Sequence, residues 1–170
     1  MSKYVLMMLM VALPAYAAQV CYSDITTTKP ISNFQLNADG TVLDTKTKLM
    51  WSRCLIGQSW DSSSRTCTGT AQQLDWPEAL TEAKRSTLAG FSTWRLPNAK
   101  EVLTLVERSC VDPAINLTAF PASNSENMWT GTTVVSQPDR AWAIAMYSGK
   151  NNTKEKIIRL YVRLVRFSDE

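Results

Sequence analysis

The chain has 170 residues, with 18 Lys plus Arg against 15 Asp plus Glu and no histidine. That length suits one domain rather than two. So small a positive excess does not indicate a nucleic-acid binder, and without histidine the usual general base and metal ligand are missing.

In chain order, Lys3 forms a short positive segment, Tyr4 to Leu13 an apolar run, Pro14 a break, and Ala15-Tyr16-Ala17 a small-x-small cleavage site. The pattern predicts an export signal over residues 1–17 and a single domain over 18–170. The apolar run is about half of the ~20 residues that a membrane span needs, so no span is expected after removal of the signal. Cys21 follows Gln19-Val20 and is a poor lipoprotein acceptor. Lys3 leaves with the signal, so 18 basic residues become 17 against 15 acids, a net of +2.

Cys21, Cys54, Cys67 and Cys110 all remain. An even count in an oxidising compartment reads as two disulfides, with three pairings open. The expected pairing joins Cys54 to Cys67 around a short polar loop, and Cys21 to Cys110 to tie down the N-terminal segment. Without a C-x-x-C or any histidine, no metal is expected, and no other cofactor.

Residues 31–51 read as a hairpin: Phe34 and Leu36 alternate, Asp39-Gly40 turns, and Thr41 to Leu43 return. A second turn at Thr45 to Lys48 leads to Leu49-Met50-Trp51, a short buried strand. Residues 54–73, rich in Ser, Thr and Gly, read as a stapled loop without elements. Two helices follow. The first has Asp75 as N-cap, Pro77 in the first turn, Glu78 completing a capping box, an apolar stripe of Trp76, Ala79, Leu80 and Ala83, and Gly90 as its stop. The second runs over 97–110, with Asn98 and Glu101 as a capping box, Val102, Leu105 and Val106 facing inward, and Cys110 at its end. Strands are predicted over 127–135 and 141–149, the latter alternating Trp142, Ile144 and Met146 with Ala143 and Ala145, with residues 136–140 as a loop between them. A final strand over 156–167 places Ile158, Leu160, Val162 and Leu164 on one face and Arg159, Tyr161 and Arg163 on the other. Strands, two helices, then strands is an α+β order. The ends of the chain should approach each other if the first and last strands pair.

Pieces of the chain, in order and at natural spacings, resemble the Lcl C-terminal domain family, an exported bacterial domain of a collagen-like adhesin. They are DGTVLDTKTKLMW, the two central cysteines with GQSWD and CTGTA, WRLPNAKEV with LVE, PAIN, MWTGT, AWAI and YVRLVR, over roughly residues 33–167. WRLPNAKE and YVRLVR are more distantly similar to segments of formylglycine-generating enzymes. That likeness implies a C-type-lectin-like fold, with two helices on a small, irregular antiparallel sheet and two disulfides. Those enzymes use paired cysteines late in the chain; nothing past Cys110 is a cysteine here, so the activity is not implied.

Within the motif, Leu96 before Pro97 must be extended and Asn98 starts a helix, so Trp94 is expected to fill a corner of the core. A half-buried Arg95 needs a partner, Glu101 or a backbone carbonyl. No enzyme activity is expected: carboxylate pairs such as Glu107 with Asp112 have nothing to place them in a cleft. Gln137-Pro138-Asp139 matches a triplet of galactose-type calcium lectins, but its partner motif is absent and the sequence is an ordinary turn. Lys150, Lys154 and Lys156, in a loop before the last strand, with Arg159, Arg163 and Arg166, are candidates for binding a polyanion; the family's adhesin binds sulfated glycosaminoglycans, and guanidinium groups suit sulfate. Trp60 is expected to plug the stapled loop onto the domain.

The chain is therefore expected to be an exported, non-catalytic binding module for adhesion or surface recognition, periplasmic or extracellular. Its recognition loops are 57–73, 121–127 and 135–140, and its partner is a glycan or a protein at the cell surface, with self-association supplying multivalency. The alternative is a periplasmic assembly partner that binds another protein.

Overall fold

A computed structural model describes residues 18–169; the expected export signal lies outside the described residues. Strand β1 (Val20–Cys21) precedes an N-terminal sheet built from β2 (Phe34–Leu36), β3 (Thr41–Asp44) and β4 (Leu49–Ser52). Its first turn forms where expected: Asp39 Oδ1 accepts from the Thr41 backbone N–H at 2.9 Å and the Thr41 hydroxyl at 2.7 Å. Gly40 sits at φ +83°, and a Cβ there would meet Trp60 Cβ at 2.6 Å, so only glycine fits. Asp44, fully buried, accepts from Lys46 and Thr47 N–H and shapes the second turn.

The stapled segment is not free of structure. Strands β5 (Ser59–Asp61) and β6 (Thr66–Thr68) form a small hairpin, because Asp61 receives Ser63 N–H and the Ser64 hydroxyl and closes the turn. The Cys54–Cys67 bridge joins it to the end of β4, and the Cys21–Cys110 bridge is also formed. After β7 (Gln73–Leu74) comes α1 (Trp76–Arg85), with the expected reciprocal capping box between Asp75 and Glu78. Ala79 and Ala83 are buried, whereas Leu80 stays 38% exposed. The helix ends at Arg85, and Gly90 belongs to a separate 3-10 turn, so Gly90 is not its stop.

Helix α2 (Ala99–Leu103) carries the expected Asn98–Glu101 box but is only five residues long. The chain leaves the helix because Glu107 N–H turns to Ala114 O and Val106 bridges Ile115. Val102, Leu105 and Val106 are buried nonetheless. Cys110 thus lies in β8 (Cys110–Val111), paired with β1, and not at a helix end.

Glu107, 2% exposed, clasps the N-terminal arm: its carboxylate accepts from Thr28 N–H and hydroxyl, Lys29 N–H, and Ser109 N–H and hydroxyl. Burial alone would raise its pKa, but these donors outweigh it and hold the carboxyl down at about 2. A depressed carboxylate stabilises the fold above its unfolded pKa and loses that contribution as pH falls. Glu107→Gln is therefore expected to lower stability by roughly 3 kcal/mol at neutral pH, with wild type and variant converging between about pH 4.5 and pH 2. Urea unfolding at several pH values checks this, and a gap that did not shrink on acidification would contradict it.

The second half supplies β9 (Asn127–Val134), β10 (Gln137–Ala145), β11 (Lys150–Glu155), β12 (Leu160–Tyr161) and β13 (Val165–Phe167). One sheet has the order β11-β10-β9-β12-β7 and the other β13-β4-β3-β2. The first is not wholly antiparallel, since β12 runs parallel to β9. Residues 137–140 belong to β10 and not to a loop. The expected long final strand is split: Ile56 N–H binds Val162 O, while Ser52 N–H and hydroxyl bind Leu164 O and N–H, passing the chain from one sheet to the other. The last strand pairs with β4, not with β1.

The β9–β10 pair is covered on both sides. Met128 and Ile144 join Val102 and Leu105 in one core; Trp129, Ala141 and Ala143 join Ala79, Ala83 and Trp94 in a second. The fold is α+β, mostly sheet, with two helices and two disulfides.

Candidate functional site

The WRLPNAKE corner is a structural joint. Trp94 is buried and donates its indole N–H to Leu88 O at 2.9 Å; Leu96 and Pro97 are buried beside it. Arg95 grips both Glu101 oxygens at 2.8 Å and lies over the Phe167 ring. Burial would raise the Glu101 carboxyl, but Arg95 and Asn98 N–H overcome this and hold it below the ordinary value. Arg95 and Val165 exchange both backbone hydrogen bonds, so the joint fixes α2 to β13.

The six candidate cations do not form one surface. Lys150 and Lys154 lie in β11, not in a loop, and share one face of that edge strand. Lys156 lies over the Trp76 ring at 4.3 Å and donates to Pro138 O. Arg159 is exposed, bonded to Gln73 O and 3.1 Å from Glu78. Arg163 and Arg166 are each 1% exposed and leave the patch altogether. Arg163 serves the Ser52 and Arg53 carbonyls, the Ser123 hydroxyl and the Phe120 ring. Arg166 binds the Thr93 hydroxyl and stacks on Phe91. Arg163 turns inward because the chain changes sheets between Tyr161 and Val165, which ends the strand alternation that would have kept it out; Arg166 has the parity of the apolar face and sits inward on Thr93 and Phe91.

Gln137-Pro138-Asp139 is exposed strand, with Asp139 O engaged by Lys156 N–H. Among the described residues, no group of three or more His, Cys, Asp or Glu is placed to hold a metal ion.

A cleft of about 480 Å³ opens between the C-terminal end of α1 and the stapled hairpin. Leu55, Ile56, Leu88 and Leu164 supply its apolar lining, with the Trp60 side chain at one wall. Trp60 is anchored by its indole N–H to Ala38 O, and the Arg53 guanidinium covers the ring 4.1 Å from its centre. Trp60 thus plugs the hairpin as expected and also lines a cavity. Asp39, Gln58, Glu82, Arg85 and Ser86 provide polar groups. Asp39 is held by Thr41, and Gln58 Oε1 accepts Leu55 N–H, which leaves the Gln58 amide N–H groups available. Glu82 and Arg85 were not singled out from sequence; nothing local marks them, since four separated segments converge here.

No curated protein matches the chain significantly. Among the described residues, no helix is long and apolar enough to cross a membrane. The Lcl C-terminal domain matches residues 40–166, which include the corner, the Cys54–Cys67 bridge, the whole of the larger sheet and all of the cleft lining but Asp39. Two disulfides require an oxidising compartment and, with the domain match, mark an exported protein. The chain belongs to the Lcl C-terminal domain family.

Proposed function

We propose that the protein is a non-catalytic recognition module acting in adhesion, in the periplasm or at the cell surface, once the segment 1–17 has been removed as an export signal. The observation that carries this reading is the match to an adhesin-associated domain over residues 40–166. A platform held by two disulfides supports it, because a pre-organised surface loses little entropy on binding. The helices packed on the central sheet suit a C-type-lectin-like layout, although β12 departs from a purely antiparallel one.

The first ligand class is a sulfated glycosaminoglycan, met by Lys150 and Lys154 along β11 with Lys156 and Arg159 at its end. Heparin chromatography tests this. The wild type should be retained at physiological salt, and Lys150→Ala/Lys154→Ala/Arg159→Ala should elute earlier. Retention only at very low salt, unchanged in the triple variant, removes the glycosaminoglycan. A protein partner is the second reading, favoured by Val135 and Ile157, which are 95% and 80% exposed.

A further inference from the structure

We propose that the cleft between α1 and the stapled hairpin binds one residue of an uncharged saccharide. This rests on the reading of the protein as a recognition module and assigns that module a second ligand class, at a place distinct from the β11 edge.

The cleft's size falls within the range of small-ligand sites, about 300–1,000 Å³. Its lining pairs an aromatic residue with hydrogen-bonding side chains, the combination that matches a sugar ring, whose C–H face is apolar and whose edge carries hydroxyls. Arg53 covers one face of the Trp60 ring and is not itself among the cleft-lining residues, so a ligand would meet the ring by its other face or its edge. The polar groups differ in hydrogen-bonding character. Asp39 and Glu82 accept, the Gln58 amide and Arg85 donate, and the Ser86 hydroxyl does both. Vicinal hydroxyls, each donor and acceptor at once, satisfy such a set.

Charge narrows the class. Two carboxylates face one guanidinium, since Glu82 and Arg85 already pair at 3.7 Å, and this balance disfavours a sulfated polyanion. A cationic ligand is disfavoured at the aromatic wall, because the Arg53 guanidinium 4.1 Å from the Trp60 ring centre would repel a second cation there. The wall is also stiff: Trp60 is pinned through its indole N–H and backed by Gly40, and Cys54 and Cys67 anchor the hairpin. Little ordering is left for the ligand to impose.

The test is an array of neutral and sulfated glycans probed with the purified, oxidised protein, followed by an NMR titration with the strongest neutral oligosaccharide. The expected result is a neutral ligand that shifts the Trp60 indole N–H and the Gln58 amide. Affinity should fall about tenfold in Glu82→Ala/Arg85→Ala, whose exposed side chains are not needed for folding. Trp60→Ala should weaken binding further; because this variant removes a plug, the helix variant is the deciding one. No neutral glycan bound, or a neutral ligand that leaves Trp60 unshifted and binds the helix variant unchanged, overturns the proposal. Binding of sulfated glycans alone, with shifts at Lys150 and Lys154, overturns the cleft and leaves the recognition module standing.

Discussion

Arg163→Met is expected to lower stability by about 4 kcal/mol, although it removes a charge from a dry site. The guanidinium is 1% exposed. Burial lowers its pKa to about 9, so it remains charged at neutral pH. Among the described residues it meets no carboxylate in an ion pair; the Ser52 and Arg53 carbonyls, the Ser123 hydroxyl and the Phe120 face share its charge. Methionine fills much of the volume but leaves two buried carbonyls without those donors, at the point where the chain changes sheets. Lysine keeps the charge without the planar fork, so Arg163→Lys should recover less than half of the loss. Urea unfolding of both variants decides the matter: losses under about 1 kcal/mol would show that the guanidinium is not what holds the crossing together.

The Cys21→Ser/Cys110→Ser variant should lose between about 4 and 5 kcal/mol, against about 3 kcal/mol for Cys54→Ser/Cys67→Ser. The difference comes from loop length, 89 residues of separation against 13, which sets how much freedom each bridge removes from the unfolded chain. The folded arm has other attachments. The Gln19 amide donates to Pro113 O and Ile115 O, Glu107 grips Thr28 and Lys29, and the Asn116 amide donates to Lys29 O. NMR spectra of the folded variant should therefore change little outside the bridge while its melting temperature drops. Melting curves in which the short bridge matters more would reverse the expected order and with it the entropic account.

What was legible from sequence was local. Both capping boxes need only a side chain and an N–H three residues apart, and both formed at the expected residues. The Asp39-Gly40 turn and the short Cys54–Cys67 bridge likewise follow from residues close in the chain, and with that bridge assigned the remaining two cysteines have only each other. The second helix was overdrawn because Val102, Leu105 and Val106 fit a helical repeat, yet only Val102 lies in the helix; the other two are buried by the turn leading to Ile115. Arg163 was misplaced because alternation holds only while a strand continues, and Arg166 because its charge was read as surface although its parity matches the apolar face. The acceptors that draw them inward, Ser52, Arg53 and Thr93, lie far away in sequence. The cleft was illegible for the same reason: it is assembled from the first turn, the stapled hairpin, the end of α1 and Leu164 between β12 and β13.

The placement of β12 also governs when this molecule can fold. Residues 160–161 wedge between β9 and β7, so β7 joins the larger sheet only through them, and residues 165–167 complete the other sheet against β4. A chain emerging from its N-terminal end therefore lacks an interior strand of one layer and an outer strand of the other until nearly all of it is available. Contacts this distant in sequence form slowly. The two layers therefore close last, once residues 160–167 have joined strands that precede them by roughly a hundred positions.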